Sequence, residues 1–404
     1  MKDPAMKHGI WTLAALTLAA CGGGSNGSAA PVAAAAAADD APAGPSVDVS
    51  GGEQIRLPGK PPFDAYAFAE FNEPWAMEFL PDGRLLVTEQ GGQVLIVDMQ
   101  GNKSEPLAGV PDVDYGGQGG LGDIVLHPEF ETNGIVYLSY AEAGDGNTRG
   151  AAVARGTLRL TPEGGSFEGL KVIWQQVPKV TGRGHYGHRI AFSPDGHLFI
   201  SSGERQKFDP SQDMSSTMGK MIRLNDDGSV PEDNPFYSEG GETAKIWSLG
   251  HRNPLGLAFD GEGNLWNTEM GPRHGDELNF VLPKNNYGYP LVSNGDHYNG
   301  DQIPDHDTRP ELDAPAAYWV PAISPGSLMI YGDDLFADWN GDAFIGGLGS
   351  KALVHVELDA PNAKELTRYP MGKRIRAVEQ GPDGAIWLLE DDEDGRLLKL
   401  VPKS

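Results

Sequence analysis

The stretch PDGHLFISSGE at residues 194–204 joins a tight turn to an apolar strand that ends in a glutamate. Pro, Asp and Gly favour a hairpin turn, and the apolar residues that follow are typical of a strand buried on both faces. Similar copies are PDGRLLVTE at 81–89, DGEGNLWNTE at 260–269 and PDGAIWLLE at 382–390. Two weaker copies are HPEFETNGIVYL at 127–138 and DDLFADWNGDAFI at 333–345. The unit therefore occurs six times.

Six copies of one unit predict a ring of similar sheets. Neighbouring copies begin about 40 to 80 residues apart, which leaves room for a four-stranded antiparallel blade with loops of variable length. The 55 Gly and 31 Pro among 404 residues also favour many short strands over long helices. We therefore predict an all-β fold, a six-bladed β-propeller with four-stranded antiparallel blades. A large β-sandwich with coincident Asp-Gly turns is the alternative.

The chain is strongly acidic, with a formal net charge of -26 dispersed among its turns. Such a surface repels the phosphates of nucleic acids and is not attracted to an anionic membrane. We therefore expect no nucleic acid partner, and we expect a membrane contact only through a lipid anchor.

The N-terminal residues are typical of a secretory signal. Lys7 and His8 precede an apolar run at 10–20 that is too short to span a bilayer, and the tetrapeptide LAAC that ends at Cys21 resembles a bacterial lipobox. We predict a signal peptide at 1–21 with Cys21 lipidated. A plain signal peptide with an incidental cysteine is the alternative.

The rest of the chain divides into a linker and one domain. Gly, Ser, Ala and Pro dominate as far as residue 50, which predicts a flexible linker at 22–50. One propeller domain then fills 51–404. The signal predicts an exported protein that is periplasmic or is a lipoprotein anchored to the outer membrane.

Unusual loop residues between the repeats are candidates for a site, because propellers bind ligands in loops at one mouth of the channel. The glycines of GGQGGLGD at 116–123 let the backbone approach a flat ligand closely, although a plain glycine turn fits equally. In GRGHYGHR at 182–189, His185 is a candidate general base, with a structural role as the alternative. Glu204 is a candidate to orient that imidazole.

A third cluster is GHRNP at 250–254, which leads into a Gly-Pro turn. Arg252 has a planar fork suited to a carboxylate, and Asn253 can hydrogen-bond a carbonyl. The carbonyl groups of Gly271 and Pro272 are hard oxygen ligands of the kind that Ca²⁺ prefers, with a generic turn as the alternative.

A fourth cluster is the pair Arg374 and Arg376, just before the turn of the last copy. Alternation along an extended strand sends both guanidinium groups to the same side, where they could hold a polyanionic ligand. A pair of surface arginines is the default. In a chain this acidic, however, a convergent set with Arg252 favours an anionic cofactor.

The order of these four clusters resembles the soluble glucose and aldose sugar dehydrogenases that depend on pyrroloquinoline quinone (PQQ), with the aldose branch the closer match. The resemblance covers residues 60 to 402 and is most specific at 251–254, 271–277, 286–290 and 374–376. It implies PQQ and Ca²⁺ as cofactors and oxidation of an aldose at C1 to the lactone, with hydride transfer to PQQ. It also implies an external electron acceptor, a quinone or a cytochrome.

The resemblance implies a role for each candidate position. His185 is the implied general base, and Glu204 and Arg252 share the catalytic site. The implied cofactor contacts are Gln118, Arg252, Asn253, Tyr298, Arg374 and Arg376. The implied Ca²⁺ ligands are the backbone carbonyls of Gly271 and Pro272, with Glu277 and Tyr287 at a second, structural site.

Four positions differ from the family pattern. Met270 stands where Gln or His is usual, Gly349 replaces an expected lysine, Ala377 replaces a common aspartate, and His188 stands where the closer branch has Gly. Two other functions stay open. One is a propeller that binds a ligand or partner without catalysis, and the other is a Ca²⁺-dependent lactonase-type hydrolase with acidic side chains converging on the metal.

Overall fold

The computed structural model describes residues 47–403, and its architecture is all β. The predicted signal peptide at 1–21, with Cys21, and most of the predicted linker lie outside these residues. Asp48, near the end of that linker, is described, and its backbone carbonyl accepts a hydrogen bond of 2.8 Å from the Lys399 ammonium. The last residues of the predicted linker therefore contact the propeller.

Residues 47–403 contain 24 strands, numbered in chain order. They are β1 Glu53–Ile55, β2 Phe63–Phe71, β3 Pro74–Phe79, β4 Leu85–Glu89, β5 Gln93–Val97, β6 Leu121–Leu126, β7 Ile135–Ala143, β8 Arg149–Thr161, β9 Gly164–Gln175, β10 Gly187–Phe192, β11 Leu198–Ser202, β12 Lys220–Leu224, β13 Ile246–Leu249, β14 Pro254–Phe259, β15 Leu265–Glu269, β16 Asp276–Val281, β17 Ala317–Trp319, β18 Met329–Ile330, β19 Ala343–Gly347, β20 Ala352–Asp359, β21 Asn362–Pro370, β22 Ile375–Gln380, β23 Ile386–Glu390 and β24 Gly395–Pro402.

Helices are few and short. The same residues contain one α-helix, α1 Phe130–Asn133, and five 3₁₀ helices, at Asp209–Ser211, Tyr237–Glu239, Thr243–Lys245, His306–Thr308 and Ala337–Trp339. Within this part of the chain, no helix has the length and apolar character needed to cross a membrane.

The strands form six antiparallel sheets that are arranged in a ring. The first sheet has three strands, β3-β4-β5, and the next four have four strands each, in the orders β6-β7-β8-β9, β10-β11-β12-β13, β14-β15-β16-β17 and β18-β19-β20-β21. The sixth has five strands, in the order β22-β23-β24-β2-β1. The innermost strands β3, β6, β10, β14, β18 and β22 each contact the innermost strands of both neighbouring sheets. The predicted six-bladed propeller is confirmed, with two blades that differ from the four-strand count.

The sequence repeat marks the same place in every blade. The turn of each copy connects the innermost strand to the second strand, and the apolar run is the second strand itself. These second strands are β4, β7, β11, β15, β19 and β23, and nearly all of their side chains are buried. Neighbouring blades cover both faces of each second strand, which explains why its apolar residues are continuous rather than alternating.

The ring is closed by strands from the two ends of the described chain. β2 pairs antiparallel with β24, with Ala67 opposite Leu398, and it covers the outer edge of the last three strands. Leu398 is fully buried in a cluster that also contains Phe63 and Leu388. Closure removes the long unpaired edges that an open stack of sheets would expose.

We expect Leu398→Ala to lower the free energy of unfolding by about 2–5 kcal/mol, because it leaves a cavity where the two ends of the chain meet. Leu366→Ala, at a leucine that is 46% exposed on β21, is the matched control and should change stability by less than about 0.5 kcal/mol. Urea unfolding followed by tryptophan fluorescence measures both. Equal stability of the two variants would contradict the conclusion that packing at the β2–β24 pair stabilises the closed ring.

Candidate active site

A cavity of about 370 Å³ opens at the mouth of the ring where the innermost strands begin. Residues from several blades reach it, because the starts of all the innermost strands converge on the channel. Among its lining residues are Trp75, Gln118, His188, Asn253, Arg374 and Arg376. The structure therefore brings together candidates that lie far apart in the sequence.

A second cavity of about 400 Å³ adjoins the first. It is lined by His185, Arg252, Pro272 and Tyr298, together with the aromatic side chain of Tyr289. The two cavities adjoin at the backbone of 252–253, because Asn253 lines the first cavity and its neighbour Arg252 lines the second. The side-chain Oε1 of Gln118 also accepts a hydrogen bond of 2.7 Å from the His185 backbone amide, which links the two walls.

His185 is buried and oriented by Glu204. The imidazole Nδ1 lies 2.5 Å from the Glu204 carboxylate, which also accepts hydrogen bonds from the backbone amides of Lys207 and Phe208. Burial lowers the pKa of His185, and the charge of Arg252 adds to this effect against the opposing pull of Glu204. The imidazole is therefore neutral at neutral pH, and its other nitrogen, Nε2, is left to act as a base.

Hydrogen bonds hold both the backbone and the side chain of Arg252. Its backbone amide donates to the Glu269 carboxylate at 2.6 Å, and its guanidinium donates to the Met270 carbonyl at 2.8 Å. The guanidinium carbon lies 5.7 Å from the ring centre of Tyr289 and 5.9 Å from that of Tyr298. Tyr298 is 74% exposed, so it stands at the rim of the second cavity. These contacts place a positive charge beside His185.

The side-chain amide of Asn253 has no partner in the protein. The residue is fully buried, and neither its Nδ2 nor its Oδ1 atom makes a hydrogen bond within residues 47–403. A buried polar group that lacks a partner costs free energy, and native structures rarely leave one so. Because Asn253 lines the first cavity, this amide indicates a ligand that hydrogen-bonds there.

Arg374 and Arg376 are held side by side by one carboxylate. Their Nε atoms lie 2.6 Å and 2.7 Å from the two oxygens of Asp391. Burial raises the pKa of Asp391, but the charges of Arg376 and Arg374 outweigh it and hold that pKa below its usual value. Asp391 is thus an anion that aligns two cations at the wall of the first cavity. Its role was not predicted from the sequence.

The Gly-Pro turn presents free carbonyl oxygens. No hydrogen bond is donated to the carbonyl of Gly271 or of Pro272 by any of residues 47–403. The turn is held by Asp276, whose carboxylate accepts the backbone amides of Gly271 at 2.9 Å and Ser324 at 2.6 Å. A Cβ on Gly271 would stand 2.2 Å from the Gly275 carbonyl oxygen, so only glycine fits this turn. Both carbonyl groups remain available to a cation.

Glu277 and Tyr287 lie outside the two cavities. The buried Glu277 carboxylate is 3.4 Å from His306 Nε2 and 3.2 Å from Asn279 Nδ2, and burial raises its pKa. The Tyr287 hydroxyl donates to the Phe280 carbonyl at 2.5 Å, so it is already bonded. Among residues 47–403 there is no group of three or more His, Cys, Asp or Glu side chains placed to hold a metal ion. A site here would therefore depend on backbone oxygens as well.

Several functional contacts were missed from the sequence. Glu269 and Asp391 position three arginines, and Trp75 and His188 form part of the cavity wall. One signal was present for Glu269, because it ends a copy of the repeat at the position that Glu204 occupies in the preceding blade. Asp391, which directly follows the last copy, could have been found in the same way.

The sequence of this chain is similar to those of known sugar dehydrogenases. Residues 71–399 match the family model described as Glucose / Sorbosone dehydrogenase. The chain is 38% identical over 343 residues to the aldose sugar dehydrogenase YliI of Escherichia coli (strain K12), which covers 83% of this chain and 91% of that protein.

Solved structures of aldose sugar dehydrogenases are also similar to this chain. The apo-form of the soluble aldose sugar dehydrogenase from Escherichia coli has a TM-score of 0.79 and 37% identity, and the match covers 84% of this chain and 100% of that one. The PQQ-bound form of aldose sugar dehydrogenase from Streptomyces coelicolor has a TM-score of 0.68 and 27% identity, and the match covers 86% and 99%.

Proposed function

Because this chain belongs to the glucose/sorbosone dehydrogenase family and is a sugar dehydrogenase, we propose that it oxidises an aldose at C1 to the lactone, with PQQ and Ca²⁺ as cofactors. The related enzyme from Streptomyces coelicolor has been solved with PQQ bound. The observation that carries the proposal is the buried, unpartnered Asn253 amide, which lines the same cavity as Arg374 and Arg376.

These residues fit PQQ, which is a planar quinone with carboxylate groups. The Asn253 amide can hydrogen-bond a quinone oxygen, and the two arginines supply positive charge for the carboxylates. Gln118, Arg252 and Tyr298 complete the set that would hold the cofactor. When bound, PQQ supplies the two-electron acceptor that takes up hydride from the sugar.

Ca²⁺ fits the carbonyl groups of Gly271 and Pro272, since hard oxygen ligands without competing hydrogen bonds suit this ion. Glu277 and Tyr287 are proposed for a second, structural calcium site, on the spacing that they share with the family. Bound at the Gly-Pro turn, the ion would add positive charge next to Arg252 and so favour electron transfer from the sugar.

His185 is the proposed general base, and Glu204 positions it. With Nδ1–H donated to Glu204, Nε2 carries a lone pair that can take the proton from the C1 hydroxyl of the sugar. Glu204 stabilises the imidazolium that forms. Burial, with the charge of Arg252 adding to it, lowers the pKa of the free imidazole, which is therefore unprotonated and able to accept a proton at neutral pH.

The two other functions are not favoured. A lactonase-type hydrolase would need acidic side chains around the metal, whereas the free ligands at the Gly-Pro turn are backbone carbonyl groups. A propeller without catalysis would not need a buried histidine paired with a carboxylate in the cavity next to the arginines.

Reconstitution tests the proposal directly. Purified apo-protein should gain aldose-dependent reduction of an artificial electron acceptor only when both PQQ and Ca²⁺ are added, and chelation should reduce that activity.

We expect His185→Ala to bind PQQ normally but to lose about 100- to 10,000-fold in kcat, because the base is gone. Absence of turnover in the reconstituted wild type would refute the function, whereas full turnover of His185→Ala would remove only the assigned base.

We expect Glu204→Gln to shift the acidic limb of the kcat/KM profile to lower pH. The carboxylate favours the protonated imidazole, so its removal lowers the pKa of His185 further, and the base stays neutral in more acidic solution. The kcat should fall by about tenfold, because the base is weaker and its cation is no longer stabilised. Glu53→Gln, at an exposed carboxylate on β1, is the control. An acidic limb that stays in place or moves upward would contradict the pairing.

We propose that the protein is exported and held in the membrane by a lipid on Cys21. Supporting this, the tetrapeptide LAAC ends an apolar run that follows Lys7 and His8. In a bacterial host, the full chain should incorporate labelled palmitate and sediment with membranes, and Cys21→Ser should do neither. A wild-type protein that takes up no label would contradict lipidation.

A further inference from the structure

His188 forms a buried wall of the first cavity. Its side chain is only 2% exposed, and its ring stacks on that of Trp75 with centres 4.9 Å apart and planes 13° from parallel. Space for the ring depends on Gly122, since a Cβ there would stand 2.0 Å from the imidazole Cε1 atom. The backbone of His188 adopts a positive φ of 59°, which costs free energy for a residue other than glycine. This residue therefore occupies a demanding position that a glycine would fill without strain.

The hydrogen bonds around His188 fix which ring nitrogen carries the proton. Ser139 Oγ accepts the backbone amide of Asp123 at 2.7 Å and lies 2.8 Å from His188 Nδ1. No other acceptor for the Ser139 hydroxyl hydrogen is found among residues 47–403, so we assign this hydrogen to the bond with Nδ1. The proton of a neutral imidazole then resides on Nε2, which has no hydrogen-bond partner within residues 47–403 although the ring lines the cavity.

The imidazole is also held neutral. Burial, with the adjacent charge of Arg189 adding to it, lowers the pKa of His188 to about 3. A neutral ring with hydrogen on Nε2 is a donor that brings no charge of its own. Arg374 and Arg376 line the same cavity and already supply positive charge. A protonated His188 would be repelled by both of them, whereas the neutral ring is not.

We propose that His188 is a cofactor-contacting residue of this chain, which donates its Nε2–H to an oxygen of the planar anion bound in the first cavity. The inference rests on the proposed function and deepens it. Met270 lines the same cavity with a thioether in place of a strong hydrogen-bonding group. His188 therefore supplies a hydrogen-bond donor in a cavity where the Met270 side chain offers none.

The test is equilibrium binding of PQQ to the apo-protein in the presence of Ca²⁺, followed by titration calorimetry. His188→Phe keeps a ring to stack on Trp75 but removes the donor, and we expect its PQQ affinity to be about tenfold lower than that of the wild type. His127→Phe, at a histidine that stacks on Tyr137 outside both cavities, is the matched control and should bind like the wild type. Equal affinities for His188→Phe and the wild type would overturn the inference, whereas a wild type that binds no PQQ would overturn the proposed function instead.

A second measurement on the wild type keeps the inference testable if His188→Phe does not fold. In protein labelled with ¹⁵N-histidine, correlation spectra should show His188 with hydrogen on Nε2 and not on Nδ1. Addition of PQQ should shift the Nε2–H resonance. A resonance that stays in place while PQQ binds, or hydrogen on Nδ1, would overturn the assigned contact.

Discussion

Two buried glutamates hold the candidate active-site loops of neighbouring blades in place. Glu204 bonds the His185 imidazole, and Glu269 bonds the backbone amide of Arg252. The Arg252 carbonyl in turn accepts the Glu204 backbone amide at 2.9 Å, which joins the two blades at the mouth of the ring. Because a carboxylate removed from water must be paired, each glutamate constrains the loop that it contacts. The position of His185, the proposed base, and of Arg252 beside it depends on these two glutamates.

The mouth of the propeller carries charges of both signs. Arg374 and Arg376 line the first cavity together with the acidic residues Glu73, Asp391, Asp392 and Glu393, and Arg252 lines the second cavity. Arg252 is set by Glu269, while Arg374 and Arg376 are set by Asp391. Asp391 offsets the repulsion between Arg374 and Arg376, which both line the first cavity. The first cavity thus offers two aligned arginines to the proposed planar anion, and the second offers the proposed base and aromatic rings to the proposed sugar.

Features encoded locally could be predicted from the sequence, and features set by closure of the ring could not. Each turn and second strand lies within a short stretch, so the blade count is visible in the repeat. The pairing of β2 with β24 joins the two ends of the described chain, and no local pattern marks it. Likewise, Arg374 and Arg376 could be placed on one side of a strand, but their contact with Asp391 required the fold. The unpartnered state of Asn253 can be recognised only once all of its neighbours are placed.

The central claim is that loops distant in the sequence converge at one mouth to hold a planar anion next to a histidine base. A crystal structure of the protein grown with PQQ and Ca²⁺ tests it most directly. Density for the quinone should fill the first cavity, in contact with Asn253, Arg374 and Arg376, with the reacting face toward His185 and an ion at the Gly271 carbonyl. Quinone density at the opposite mouth, or on the outer face of a blade, would contradict the account.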